Sequence, residues 1–366
     1  MKKITMSFIF GYIFLLMTAC TSANNDIPED TPDPEPTETE FISAVDISSL
    51  PEILESNPTF YDTDGTTEDM LTILKDNGVN TIRLRLWVNP ANGHCGFDEV
   101  KQFAQTLRTY NFKIWLTVHY SDTWADPSQQ VIPAAWENDT MAELLTHVQD
   151  YTSSIINQID PDYIQVGNEI NSGFMHPMGN ISSNTDQFIT LLTTATSTVR
   201  TLAPDTKIIL HYAGLEGADW FFNQVTDIDY DFIGLSYYPI WHGTSLTNVE
   251  STITQLGTTY NKKVLIAETA YPFTLGWNDW TNNIVGQDDQ LILPDYPASP
   301  EGQKNFITAI KTILTNNENG QGFCYWGAEL VAWKGIEATD GSSWENQAIF
   351  NFDNEALPVI SSFTQE

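Results

Sequence analysis

The chain has 366 residues, with 15 Lys and Arg against 48 Asp and Glu, a formal charge of −33 and a pI of about 4.1. So few cations cannot neutralise a run of phosphates or dock on an anionic lipid leaflet, which excludes a nucleic-acid binder and an electrostatic membrane binder. With 41% hydrophobic and 12% aromatic residues, the chain still carries enough apolar side chain for a core, and its length suits one large domain or two ordinary ones.

At the N terminus, Lys2 and Lys3 precede an apolar run over residues 6–19 that is too short to span a bilayer comfortably. The run ends Leu16-Met17-Thr18-Ala19-Cys20, a string that resembles a bacterial lipobox. Residues 1–20 are therefore expected to be a lipoprotein signal peptide, with Cys20 the lipidated N terminus after cleavage; the alternative is an ordinary secretory signal with an incidental Cys. Residues 21–40 hold seven acids, four prolines and no aromatic, the composition of a solvated tether. The expected protein is exported and lipid-anchored to a bacterial membrane, the outer one, at the cell surface. It would touch the membrane only through that lipid.

Residues 41–366 form the body, in which short β-rich runs alternate with longer amphipathic stretches. Strands are predicted over 42–48, 81–88, 113–120, 163–170, 207–212, 232–238, 263–269 and 322–328. Helices are predicted over 67–77, 97–110, 141–159, 185–202, 245–260 and 300–315. Thr66 reads as the cap of the first helix and Gly78 as its stop. Eight strands, each followed by a crossover, is the count of a single-domain (β/α)8 TIM barrel, expected to act as a monomer. A doubly wound open sheet would carry a Gly-rich turn after its first strand, and Asp46-Ile47-Ser48-Ser49-Leu50-Pro51 has no glycine.

The C-terminal ends of barrel strands face the active site. Strand two ends on Arg83, Arg85 and Trp87, strand three on His119, Asp122 and Trp124, and strand four on Asn168 and Glu169. Strand five ends on His211, strand six on Tyr238 with Trp241 behind it, strand seven on Glu268, and strand eight runs Trp326-Gly327-Ala328-Glu329. Strands four and seven lie almost opposite, so two inward glutamates can converge across the mouth. Paired carboxyls are the equipment for cleaving a glycosidic bond, one protonating the leaving oxygen while the other attacks the anomeric carbon or activates water. The two roles need different pKa values and hence different environments. A carboxyl separation of roughly 5–5.5 Å means retention of configuration, and roughly 6.5–9.5 Å inversion.

Asn168-Glu169 and Glu268, so placed, resemble the acid/base and nucleophile of the retaining clan-A glycosidases. More specifically, an ordered set of strings across the body resembles glycoside hydrolase family 53, the endo-β-1,4-galactanases. These include Val45-Asp46-Ile47-Ser48-Ser49, Arg83-Leu84-Arg85-Leu86-Trp87, His119-Tyr120-Ser121-Asp122-Thr123-Trp124, Gly167-Asn168-Glu169, Ser236-Tyr237-Tyr238-Pro239, Ala267-Glu268-Thr269 and Tyr325-Trp326-Gly327. The resemblance implies that Glu169 is general acid then general base and Glu268 the nucleophile. It implies that Asn168 bonds the sugar 2-hydroxyl, that Tyr238 holds the nucleophile and that Arg83 keeps it ionised, with Arg85 on the same face able to take either job. Asp46, Asp122 and Trp124 join the substrate-binding set, His119 and His211 orient either sugar hydroxyls or neighbouring carboxylates or are satisfied buried histidines, and Trp326 forms the floor at the cleavage point. Trp87, Trp241 and Trp333 are either further stacking platforms or core. The implied substrate is the β-1,4-galactan of pectin side chains or type I arabinogalactan, cut internally. Another clan-A endo-glycanase, a β-mannanase or glucanase, is the alternative, and a non-catalytic glycan-binding lipoprotein is another.

No cofactor is expected for catalysis. Some bacterial relatives carry a calcium clamp between the loops after strands seven and eight, built on a dense Asp/Asn/His repeat. Residues 276–283 here lack that repeat but keep Asp279 and Asn283, and Ser342 with Glu345 supplies the partner side of a possible structural calcium. Cys95 and Cys324 are expected to be free thiols rather than a disulfide, with Cys324 a small core residue.

Overall fold

Eight apolar runs pair side by side in parallel in the computed structural model, which describes residues 40–364. They are β1 (Ile42–Asp46), β2 (Thr81–Leu86), β3 (Lys113–Val118), β4 (Tyr163–Val166), β5 (Lys207–Ala213), β6 (Phe232–Ser236), β7 (Lys263–Thr269) and β8 (Gly320–Tyr325). Each pairs with the next, and β8 returns to β1 through Ala44 opposite Cys324, closing the barrel. The expected signal peptide, Cys20 and all of the tether but Glu40 lie outside the described residues.

Both faces of these strands are covered, which is why they read as near-continuous apolar runs. Inward side chains, among them Ile42, Trp115, Tyr163, Phe232, Leu265 and Cys324, pack only on one another and plug the barrel. Outward ones join the larger layer against the helices. The longer helices among the described residues are α1 (Met70–Asp76), α2 (Phe97–Thr109), α3 (Met141–Gln158), α4 (Thr185–Leu202), α5 (Ala218–Gln224), α6 (Leu246–Tyr260) and α7 (Pro300–Asn316), with short helical turns at Leu50–Leu54 and Pro239–His242. Thr140 and Glu143 open α3 with a reciprocal capping box. Cys95 and Cys324 are both free and buried, as expected.

Several boundaries differ from expectation, three of them for a clear local reason. The helix expected over 67–77 begins at Met70, because Asp69 rather than Thr66 caps it, its Oδ1 accepting the Thr72 N–H at 3.0 Å. Thr67–Glu68 instead pairs antiparallel with Phe60–Tyr61. The strand expected over 163–170 stops at Val166, because Gly167 (φ +78°) and Glu169 (φ +46°) turn the backbone into the left-handed region. A Cβ on Gly167 would also stand 2.4 Å from Ile170 Cγ2, so the turn requires glycine. The last strand runs Gly320–Tyr325 rather than over 322–328, and Gly327 (φ +72°) turns the chain away. Strands β2, β3 and β6 likewise end two residues short of expectation, leaving polar residues on loops above the plug.

Candidate active site

Arg83 lies directly above the plug, with its guanidinium 5.9 Å from the Trp115 ring centroid. It is 1% exposed and spreads its donors over three strand ends. Nη1 donates to Asp46 Oδ2 at 2.7 Å, while Nη2 donates to Glu268 Oε1 at 2.6 Å and Asn168 Oδ1 at 2.9 Å. The Tyr238 hydroxyl donates to the other oxygen, Glu268 Oε2, at 3.1 Å. At β7 the pairing with β6 shifts by one residue between Leu235 and Ser236, a bulge that sets Glu268 opposite Ser236.

Glu169, in its left-handed turn, meets Glu268 from the other side. One oxygen from each carboxyl and a His211 ring nitrogen all lie within 4.8 Å of one another. The two carboxyls are held differently. Glu169 Oε1 accepts only the Ser236 hydroxyl, at 2.6 Å, and burial together with the Glu268 charge pushes its pKa up to about 8. Burial also raises Glu268, but the Arg83 guanidinium and the Tyr238 hydroxyl oppose it. Glu169, with a single hydroxyl donor, is therefore the better holder of a proton, and Glu268, bonded to a guanidinium and a hydroxyl, the better anion.

The three-group cluster is not built for a metal ion. His211 Nδ1 accepts from Gln165 Nε2 at 3.0 Å and from the Glu169 N–H at 3.3 Å, which leaves the ring hydrogen on Nε2 for Ser236 Oγ at 2.9 Å. Both nitrogens are used, and a guanidinium already occupies Glu268. Burial holds the ring neutral, its pKa well below the usual imidazole value.

A cavity of about 430 Å³ opens above these groups, with Arg83, Asn168, Glu169 and Glu268 at its base and Trp124 and Trp326 on its wall. Asp46, Arg85, His119 and Tyr238 also line it, so ten of the expected site residues converge here. His119 Nδ1 accepts the Ala125 N–H at 3.0 Å, leaving its ring hydrogen on Nε2 as a donor. Asn168 spends Oδ1 on Arg83 and gives one Nδ2 hydrogen to the Ala125 carbonyl at 2.8 Å.

Two expected substrate-binding residues are corrected. His211 is fully buried and off the cavity wall, where it positions Glu169 through Ser236. Asp122 also lies off the wall, because its carboxylate fastens two loops by accepting the N–H groups of Asn89 and Ala134 at 3.0 and 2.9 Å. Nor are the two arginines interchangeable. Arg85 sits 3.9 Å from the Trp124 ring centroid and 4.6 Å from that of Trp87, and it donates to Cys95 Sγ at 3.1 Å. Of the two, only Arg83 reaches Glu268. Of the remaining tryptophans, Trp241 and Trp333 line the cavity, whereas Trp87 packs edge-on behind Trp124 at 5.4 Å. The sequence reading missed Ser236, Gln165, Glu329 and Trp344, the last packed edge-on against Trp326 at 4.6 Å.

Beside the cavity, the loops after β7 and β8 meet through Glu345, whose Oε1 accepts the Asn278 N–H at 2.6 Å. Asp279 Oδ2, Asn283 Oδ1 and Glu345 Oε2 are each buried without a hydrogen-bond partner. Ser342 lines the cavity, and its Oγ accepts the Trp344 N–H at 3.2 Å.

A parallel barrel whose mouth holds two facing glutamates in different hydrogen-bonding environments, ringed by tryptophans, defines a glycoside hydrolase. The chain belongs to glycosyl hydrolase family 53, whose model matches residues 42–363. It is 34% identical over 363 residues to an arabinogalactan endo-beta-1,4-galactanase of Cellvibrio japonicus, covering 93% of each chain. It is 30% identical to an endo-beta-1,4-galactanase of Bacillus subtilis, covering 88% of this chain and 85% of the relative. Among solved structures it is similar to the Ignisphaera aggregans GH53 catalytic domain, with a TM-score of 0.83 and 38% identity, covering 88% of this chain and 95% of that one.

Proposed function

We propose that this chain cleaves internal β-1,4-galactosidic bonds of galactan or type I arabinogalactan by double displacement with retention. The carrying observation is the close approach of Glu169 and Glu268, whose nearest facing oxygens lie within 4.8 Å, matching the short separation of retaining enzymes. In the first step Glu169 gives its proton to the leaving glycosidic oxygen while ionised Glu268 attacks the anomeric carbon, forming an ester and releasing one half of the chain. In the second, the Glu169 carboxylate takes a proton from water as that water attacks the same carbon, and Glu268 departs as a carboxylate. Arg83 and Tyr238 hold Glu268 in line for the first step and receive its returning charge in the second. The Asn168 amide and the His119 Nε2 hydrogen are donors for sugar hydroxyls, and Trp124 and Trp326 offer ring faces to the sugars.

The substrate assignment is supported by the names of the relatives above. Reducing-end release from galactan, mannan and cellulose, measured side by side, tests it. Release from galactan alone is expected, and release from mannan alone would overturn it. Binding without release would make the chain a glycan binder.

Two subsidiary readings belong here. The orphaned oxygens of Asp279, Asn283 and Glu345 form an all-oxygen set suited to a structural calcium that ties the two loops together, without a part in the chemistry. Chelation should then lower the melting temperature, and calcium should restore it; an unchanged melt contradicts the site. The protein is also proposed to be exported and anchored through lipid on Cys20, working as a monomer. Recovery of Cys20→Ser in the same membrane fraction as the parent would sink the anchor.

A further inference from the structure

Carboxyl groups outnumber cations at the base of the cavity, three of them buried and Glu169 half-buried. Asp46, Glu169, Glu268 and Glu329 stand around two guanidinium groups, Arg83 and Arg85. His119 and His211 add no charge, because each uses a ring nitrogen to accept a backbone N–H. Leaving a net charge in a shielded site is costly, so charge balance at the base of the cavity, with Asp126 half-exposed at its edge, favours two neutral carboxyls among these four.

Two of the four are clearly the anions. Asp46 accepts Arg83 Nη1 at 2.7 Å together with the Ser48 hydroxyl and N–H, and Glu268 accepts Arg83 Nη2 and the Tyr238 hydroxyl. Glu169 carries the proton for the first step, on the reading proposed above. Glu329 is the fourth. It is 1% exposed and touches neither guanidinium. Its Oε1 accepts the Ser49 N–H at 2.7 Å, and its Oε2 is buried with no donor in reach, a costly setting for a full negative charge.

We propose that Glu329 is a permanently protonated carboxylic acid, a positioning residue that ties the loop after β8 to the turn after β1 and leaves both guanidinium charges to Asp46 and Glu268. The charge count then holds throughout turnover. When Glu169 loses its proton to the leaving oxygen, Glu268 becomes a neutral ester; when Glu169 takes a proton from water, Glu268 returns as an anion. An ionised Glu329 would add a third anion and oppose deprotonation of Glu169. The groups facing Glu329 agree. Burial raises its pKa to about 8, Asp46 from β1 adds to the rise, and the Ser49 N–H and Arg85 from β2 oppose it. Cys324 from β8 is itself held as a thiol by burial.

Thermal melting of the parent, Glu329→Gln and Glu329→Ala between pH 5 and 8 tests this. A carboxyl that binds its proton more tightly folded than unfolded costs stability as pH rises between the two pKa values, about 4.3 and about 8. Glutamine, which keeps the shape and cannot ionise, escapes that cost. The melting temperature of Glu329→Gln relative to the parent should therefore climb by about 2 °C per pH unit across this range. Glu329→Ala should melt lower at acidic pH, where the Ser49 N–H is orphaned, yet its difference should climb with the same slope. A flat or falling difference in both variants overturns the proposal, since a Glu329 that is ionised in the folded state below pH 5 gives no climb across this range. The melt requires no turnover, so a failure of the galactan assay would remove the catalytic reading without deciding this one.

Discussion

Removing the Ser236 hydroxyl should move the alkaline limit of activity upward. That hydroxyl donates to Glu169 Oε1 at 2.6 Å and accepts from His211 Nε2 at 2.9 Å. It stabilises the ionised form of Glu169 and so lowers a pKa that burial and Glu268 have raised to about 8. A hydrogen bond to a charged group contributes about 1.5–3 kcal/mol, and each pKa unit corresponds to about 1.4 kcal/mol. Ser236→Ala should then raise the Glu169 pKa by roughly one to two units. The alkaline limb of kcat/KM reports the acid that must be protonated in the free enzyme. In the parent it should fall near the Glu169 pKa of about 8. In the variant it should fall about one unit or more higher. The acid limb follows Glu268, whose carboxyl is bonded by Arg83 and Tyr238 rather than by the Ser236 hydroxyl, and should move little. Initial rates on soluble galactan at low substrate, taken from acid to alkaline pH, provide both limbs. An alkaline limb that stays in place or moves down in a folded variant would refute the relay from His211 through Ser236 to Glu169.

Two other substitutions test the geometry. Tyr238→Phe removes the donor to Glu268 Oε2 at 3.1 Å, and loss of a hydrogen bond to a charged nucleophile should lower kcat about 10–100-fold while the melting temperature changes little. An unchanged kcat would mean that Arg83 alone orients Glu268. Gly167→Ala forces a Cβ to within 2.4 Å of Ile170 Cγ2 at a left-handed backbone position. It should cost about 1–3 kcal/mol in urea unfolding and reduce activity by displacing Glu169. Parent-like stability would show that the turn after β4 tolerates a side chain.

The barrel was legible because both faces of a parallel sheet are covered, so its strands stand out as apolar runs between amphipathic ones. Strand ends were less legible. Gly167 and Glu169 break β4 with left-handed backbone, which a hydrophobic pattern does not register. The converging core of the site followed from strand-end position, but position alone does not say which atoms reach the cavity. His211 and Asp122 stand where substrate-binding residues would, yet hydrogen bonds to backbone groups and buried neighbours consume them. Ser236 sat within a recognised string, but nothing in the string said that its hydroxyl spans from His211 to Glu169. Trp344 lies on a long loop without periodicity, so only the fold brings it against Trp326. Glu329 stood at the end of the predicted eighth strand, but position alone gave it no role. Its burial beside Asp46, invisible in composition, separates it from the solvated carboxylates.

The central claim is that Glu268 attacks the anomeric carbon and Glu169 supplies and recovers the proton. Proton NMR of the first product released from galactan, recorded before mutarotation, tests it most directly. Double displacement predicts that the new reducing end appears as the β anomer and only later equilibrates with α. Initial appearance of the α anomer would mean inversion and would contradict the covalent role of Glu268.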